Sequence, residues 1–266
     1  MSEIQRTFDA VADGYDNPSK RFFRLAADLV PSHLSLSGDE HVLDAATGTG
    51  HVALALGRAL PRGTVTGIDF SARMLACAEA KLKAAGLGNV QLRQMDMQAL
   101  DFADATFDRA VSSFGLFFAE DMAATLGGIV RTVKPGGRVL VTSFFKSPFP
   151  TLTREFFAHL EEWGTIEPGA RPLQRLASPE ECAELFRGAG LADVSVTDHD
   201  VGYMLESVDQ WWDVVWNAGF RRYLLGMAPE ELERFRAAHL ARIKTMCGGR
   251  GPLLEVTALF TSGVKA

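Results

Sequence analysis

VLDAATGTGHVA, residues 42–53, places two aliphatic residues and an aspartate ahead of a glycine–threonine–glycine turn, which opens onto an apolar helical pattern. The spacing of Gly48, Gly50 and Ala53 fits the Gly-x-Gly-x-x-Gly/Ala fingerprint of a dinucleotide site. Asp69 follows at about the distance where an acid would meet a ribose hydroxyl. A helix N-terminus behind such a turn offers unpaired N–H groups and a positive dipole end, which suits a phosphate. Asp44, four residues before Gly48, opposes that reading, because a carboxylate and a pyrophosphate at close range repel.

Outward from this turn, short β-forming runs near 41–45, 64–69, 90–95, 108–113 and 138–144 alternate with helical stretches. The helical stretch from His51 to Leu60 is stopped by Pro61, that from Ser71 to Ala85 by Gly86, and that from Ala119 to Val133 by KPGG at 134–137. KPGG is expected to be a turn that starts the fifth strand. This alternation predicts an α/β fold with a parallel sheet covered on both faces. Asp44, Asp69 and Asp96 then end the first three strands, on the edge where such sheets bind ligands. Three acids make a poor phosphate site and a good one for an adenosine ligand with a cationic end. S-adenosylmethionine, with its sulfonium and ammonium groups, is such a ligand.

The chain resembles the class I S-adenosylmethionine-dependent methyltransferases, most closely the ubiquinone and menaquinone biosynthesis branch. The resemblance rests on VLDAATGTG (42–50), GIDFSARML (67–75), QMDMQAL (94–100), FDRAVSSFGL (107–116) and KPGGRVLV (134–141), in order and register. It implies a Rossmann-like seven-stranded sheet, mostly parallel with the last strand antiparallel, carrying helical lid additions. It also implies that Asp44 and the backbone of Ala46, Gly48 and Gly50 hold the methionine part of S-adenosylmethionine. Asp69 would take the ribose hydroxyls and Asp96 the adenine amino group beside the Met97 backbone. Phe70 and Met74 would pack on the adenine, Tyr15 in FDAVADGYD (8–16) would close over the cofactor, and Ser113 and Phe114 would lie beside the transferable methyl. Ala46 stands where the family most often has glycine. Ser112-Ser113-Phe114-Gly115 lacks the Asn/Asp-Pro-Pro-aromatic pattern of methyltransferases acting on nucleic-acid bases or glutamine.

Beyond Phe145 the pattern loosens. A capping box is expected at Ser178, Pro179 and Glu181, a strand over 193–203, a Trp-rich helix from Ser207 to Asn217, a helix from Pro229 to about Met246, and a last strand over 253–261. The 266 residues read as one methyltransferase domain: cap helices in 1–40, a cofactor core in 41–145, and helical insertions in 146–177 and 205–247 on the acceptor side. Phe22, Phe114, Phe145, Trp163, Trp212 and Trp216 are the candidates for an acceptor pocket, although spacings such as that of Trp212 and Trp216 equally suit helix packing.

The net charge of −6 and the absence of a Lys/Arg cluster argue against nucleic-acid binding. Cys77, Cys182 and Cys247 lack metal-ligand spacing, and no apolar run is long enough to span a membrane. A cytoplasmic protein is expected, without a metal, acting on a small-molecule acceptor; monomer and homodimer stay open. His33, His51, His159 and His199 are candidate bases, and only His199 has acids beside it in sequence, Asp198 and Asp200. No catalytic residue is assigned, because a sulfonium methyl is already activated and its transfer demands mainly alignment and dryness. A nicotinamide-dependent oxidoreductase and a noncatalytic S-adenosylmethionine-binding protein are the alternatives.

Overall fold

The computed structural model describes residues 3–167 and 174–266. In chain order the elements are α1 (Glu3–Val11), α2 (Phe22–His33), β1 (His41–Ala45), α3 (His51–Ala59), β2 (Thr64–Asp69), α4 (Ala72–Ala84), β3 (Val90–Gln94), β4 (Phe107–Ser113), α5 (Met122–Thr132) and β5 (Val133–Phe144). There follow α6 (Pro150–Glu162), α7 (Pro179–Gly188), β6 (Leu191–Asp200), β7 (Tyr203–Met204), α8 (Val208–Trp216), α9 (Pro229–Met246), β8 (Leu253–Leu254) and β9 (Thr257–Lys265). Two 3-10 turns, Ala12–Gly14 and Pro18–Lys20, connect α1 to α2, and a third, Gly219–Leu224, follows α8.

Seven strands form one sheet in the order β3-β2-β1-β4-β5-β9-β6. The pairs from β3 to β5 are parallel, and β9 runs antiparallel between β5 and β6. The expected Rossmann-like sheet is therefore present. β1 is the point where strand order reverses, with Asp44 opposite Gly67 on one side and Val111 on the other. Crossover helices leave a crevice at such a point, so the sheet alone locates the site.

Alternation along the strands divides the core in two. Val42, Val65, Val111, Leu140 and Phe260 face α2, α3 and the helices of the C-terminal half. Leu43, Ile68, Ala110, Val139 and Leu259 face α5 and α7. Both faces of β1 and β2 are buried, which explains why these strands read as continuous apolar runs.

Three sequence expectations are corrected. KPGG does not precede β5 but interrupts it: Val133 already pairs with Phe107 and Arg138 with Arg109, so the segment bulges out of the ladder. Gly136 has φ +76 there, and a Cβ on Gly137 would lie 2.6 Å from the Asp108 carbonyl. The runs 193–203 and 253–261 are each broken in two, because β7 and β8 leave the main sheet to pair with each other. Gly202 allows that crossing, since a Cβ would come within 2.7 Å of the Leu254 carbonyl. In the third case Ser178 Oγ accepts from Glu181 N at 3.2 Å, as a capping box requires, but the Glu181 carboxylate takes the Ala177 N–H at 2.8 Å. Among the described residues no helix is long and apolar enough to cross a membrane.

Candidate cofactor and acceptor site

The glycine turn leaves β1 through a run of left-handed residues, Ala46 (φ +63), Gly48 (φ +56) and Gly50 (φ +82), before α3 begins at His51. Alanine is strained in that conformation where glycine would not be. Its methyl has room because Gly115, facing it across the site, lacks one; a Cβ there would lie 2.8 Å from that of Ala46. Gly50 also lets α3 approach α4, since a Cβ would be 2.9 Å from Ala78 Cβ.

Asp44 is fully buried, and one of its carboxylate oxygens accepts the Thr47 hydroxyl at 2.5 Å. The other oxygen makes no close hydrogen bond among the described residues. Burial pushes its carboxyl up to about 7; the Thr47 bond opposes the rise, the nearby Asp69 adds to it, and the Ala53 backbone N–H also opposes it. Asp69 accepts the N–H groups of Gly48 and Ser71, both at 2.9 Å, which ties the end of β2 to the glycine turn. Burial raises its carboxyl to about 6 against those two bonds, with Asp9 and Asp96 contributing. Asp96 lies beyond the end of β3 in a half-buried loop and accepts the Gln98 N–H at 2.9 Å. Met97 packs on the α5 side of the sheet.

The N-terminal segment crosses this edge. Phe8 of α1 stands 6.1 Å from Phe70, 6.2 Å from Tyr15 and 5.1 Å from Phe118 between ring centroids. Met74 joins the same cluster with Val11 and Ala12. Ser71 Oγ donates to Asp9. Asp16 is gripped by the Thr49 hydroxyl (2.6 Å), His51 Nε2 (2.9 Å) and Lys81 Nζ (2.8 Å). Burial works against its charge, yet those hydrogen bonds and the charge of Lys81 hold its carboxyl well below the usual range. Tyr15 is thereby set beside Asp69 and Asp16; burial and those two charges push its phenol up, so it stays neutral.

From Tyr15 a wall of rings runs toward the C-terminal half. Tyr15 stacks on Phe23 at 5.2 Å, Phe23 meets Phe114 edge-on at 5.3 Å, and Phe114 lies 4.6 Å from Phe144. Phe22 and Phe149 back this wall. Phe114 holds a left-handed backbone (φ +52), fixed by its N–H to the Thr142 carbonyl at 3.1 Å, while Ser113 and Thr142 hydroxyls bond at 2.8 Å.

Of the residues singled out from sequence, Tyr15, Asp44, Ala46, Gly48, Gly50, Asp69, Phe70 and Met74 come together at this edge, with Ser113, Phe22 and Phe114 adjoining. Phe145 does not join the wall: it points to the α5 and α7 side, and strand alternation gives the place to Phe144. Trp163, Trp212 and Trp216 lie elsewhere as well. Trp163 and Trp212 pack on Phe235 of α9, and Trp216 stacks on Trp212 beneath the Arg221 guanidinium. Their spacing served helix packing. Phe8, Asp9 and Asp16, all inside FDAVADGYD, and Phe118 carry no individual signal in the sequence. His51, which sequence left without an acid, has Asp16; His33 and His199 pair with each other at 3.0 Å, and His159 stacks on Phe235.

A doubly wound sheet with a buried, half-satisfied carboxylate at its switch point defines a class: α/β proteins whose site takes a cationic ligand. The family described as "Methyltransferase domain" matches residues 42–137. The demethylmenaquinone methyltransferase of Geobacillus kaustophilus is 30% identical over 220 residues, covering 75% of this chain and 92% of that protein. The ubiquinone/menaquinone biosynthesis C-methyltransferase of Desulfotalea psychrophila is 32% identical over 231 residues, covering 79% and 89%. The YcgJ protein from Bacillus subtilis superposes with a TM-score of 0.61 at 18% identity, over 91% of this chain and 98% of its own. A [4+2]-cyclase, SpnF, shares the fold at a TM-score of 0.58 and 22% identity, covering 91% and 81%.

The chain belongs to the class I S-adenosylmethionine-dependent methyltransferases, near their ubiquinone/menaquinone branch. S-adenosylmethionine is its cofactor, and neither the oxidoreductase nor the noncatalytic alternative is favoured. The residues present fit that group, because the unpartnered oxygen of Asp44 and its raised pKa are both relieved by a cation.

Proposed function

We propose that the chain methylates a planar, largely apolar ring compound of the hydroquinone type, at carbon. The observation that carries this reading is the continuous aromatic wall from Tyr15 through Phe23 and Phe114 to Phe144, which leads away from the cofactor edge. Ring faces of this kind receive another ring well. The names of the menaquinone-branch relatives point to the same chemistry.

When bound, S-adenosylmethionine supplies an activated methyl whose leaving group is a neutral thioether. On this reading Asp44, the glycine turn and Asp69 orient it, Asp96 and Phe70 flank its adenine, and Tyr15 closes the edge. Phe23, Phe114 and Phe144 align the acceptor ring for in-line attack and keep water out. Residues 1–266 then act as one unit, with 1–40 as cap, 41–145 as cofactor core, and the insertions 146–177, of which 168–173 lie outside the described residues, and 205–247 on the acceptor side. The three free cysteines suit a reducing, cytoplasmic setting, and the acidic net charge suits a small-molecule acceptor over a nucleic acid.

The test supplies methyl-labelled S-adenosylmethionine with a dihydroxynaphthalene, a catechol and a small primary amine, and locates the label by mass spectrometry and NMR. Labelled ring carbon is expected. Transfer to the amine alone sinks the proposal, and Phe114→Ala is expected to raise the acceptor KM while leaving S-adenosylhomocysteine affinity near that of the wild type.

A further inference from the structure

Lys20 is 2% exposed, and among the described residues it has no ion-pair partner. Its ammonium donates to the Asn217 carbonyl at 2.6 Å and lies 4.2 Å from the centroid of the Tyr15 ring. An ammonium withdrawn from water without a carboxylate is costly, and a methionine would fill the same space without that penalty. What a lysine adds at this place is direction.

The direction comes from both neighbours. Asn217 caps the C-terminus of α8, where unsatisfied carbonyls and the helix dipole favour a cation. Its side-chain oxygen occupies the space into which a Cβ on Gly14 would project, so the residue before Tyr15 is seated on Asn217 as well. Asn17 accepts the Ser19 N–H at 2.8 Å and Ser19 Oγ donates to Asp213 at 3.3 Å, which fixes the turn that carries Lys20. The chain thus folds back so that residue 20 presses on the ring of residue 15, while Phe23 stacks on that ring.

We propose that Lys20 is a positioning residue for methyl transfer: clasped to α8 through the Asn217 carbonyl, it holds Tyr15 in place between the cofactor edge and the aromatic wall. The proposal rests on the assignment of Tyr15 to the cofactor site. It couples the N-terminal cap to the C-terminal helices, so that the cofactor is enclosed only when α8 is docked. The charge matters, because a neutral amine makes no cation–π contact. Burial lowers the Lys20 pKa to about 7, opposed by Asp16, so the clasp loosens as pH rises through that range. The titratable groups about it are Asp16, whose charge acts on it, Tyr15 beneath it with Asp69 beyond, and Asp213 of α8, bonded to the adjoining Ser19.

The test is calorimetric titration of the full chain with S-adenosylhomocysteine, using Lys20→Met, Tyr15→Leu, the double variant, Gly14→Ala and Asp69→Ala. At about pH 6, Lys20→Met is expected to bind roughly five- to tenfold more weakly, between the worth of an exposed and of a desolvated cation–π contact, without a lower Tm. The double variant should be no weaker than Tyr15→Leu alone. Between about pH 6 and pH 8.5 the ratio of wild-type to Lys20→Met affinity should fall toward one, since both proteins share the gain from deprotonation of Asp44 and only the wild type loses the Lys20 charge. Gly14→Ala, which displaces Asn217 and leaves Lys20 in place, should weaken binding in the same direction. Wild-type affinity in Lys20→Met, or additive losses in the double variant, overturns the proposal while the site assignment stands. Undiminished binding in Asp69→Ala overturns the site assignment and the Lys20 proposal with it.

Discussion

The half of the molecule from β1 to β5, proposed above to hold the cofactor, and the half from α6 to α9 are built on opposite principles. From β1 to β5 the polar groups that matter sit on the sheet edge, and two of them, Asp44 and Asp69, are buried acids whose charge is unfavourable until a cation arrives. From α6 to α9 the buried polar groups are stacked against rings: His159 and His239 lie against Phe235, and Trp211 Nε1 donates to His239 at 3.0 Å. One half stores electrostatic tension for a ligand. The other keeps its buried histidines neutral against rings, with the Nδ1 atoms of His159 and His239 unpartnered among the described residues.

Removing acids should therefore damage binding and spare folding in the first half, and removing rings should do the reverse in the second. The largest effect is expected for Asp69→Ala and Asp44→Ala. Each should weaken S-adenosylmethionine by about a hundredfold or more, as loss of a charge-assisted contact does, while Tm changes little, the relief of a buried charge offsetting the Thr47, Gly48 and Ser71 donors left without an acceptor. Phe235→Ala comes next. Its fully buried ring touches Phe156, His159, Trp163 and Trp212, so a loss of about 3–5 kcal/mol is expected in denaturant unfolding. Cofactor affinity of the folded fraction should stay unchanged; a fall in that affinity would break the division.

Acid should separate the halves without mutation. Asp44 and Asp69 have folded pKa values raised to about 7 and about 6, so their protonation favours the native state, and stability grows as pH falls from 7 toward 4. His239 is the opposite case: burial first, then the charges of His159 and Arg242, lower it to about 3. Its unfolded form takes up a proton near 6.5, so the stability it contributes is present above that pH and is lost as pH falls toward 3. Each group changes stability by at most ~1.4 kcal/mol per pH unit. Hydrogen exchange at pH 5 against pH 7 should show α9 and α6 less protected and the β1–α3 turn more protected. Equal shifts in both would contradict the contrast. S-adenosylmethionine should bind more weakly at pH 5, because a protonated Asp44 has lost its attraction for the cation.

The same division explains what the sequence disclosed. Asp44 and Asp69 are legible because each sits within two residues of a strand end and close to the glycine turn or a serine cap, so local pattern fixes their place. Phe8, Asp16 and Phe23 are not legible in that way, since what brings them to the site is the long-range docking of α1 and the following turns on α3 and α4. Phe144 and Phe145 are adjacent, and their faces are settled by the register of β5 against β9, Phe144 opposite Ala258. A one-residue difference of that kind moves a side chain across the sheet. The tryptophans of α8 obey helical spacing that is the same for a pocket and for a core.

The smallest effect tests the cofactor half at its own weak point, the alanine in the glycine turn. Ala46 at φ +63 carries strain of ~1 kcal/mol, and the gain from relieving it is partly offset because glycine has more freedom in the unfolded chain. Ala46→Gly should therefore stabilise by about 0.5 kcal/mol at most, with cofactor affinity intact. Gly115→Ala should destabilise, since two methyl groups would stand 2.8 Å apart. Combining them should restore most of that loss, because the collision needs both side chains; in a double-mutant cycle the coupling should exceed the sum of errors. If Gly115→Ala is as harmful in the Ala46→Gly background as in the wild type, the crowding lies with Ser112 Oγ, 3.0 Å from the same Cβ, and the turn owes its shape to β4 rather than to its own alanine.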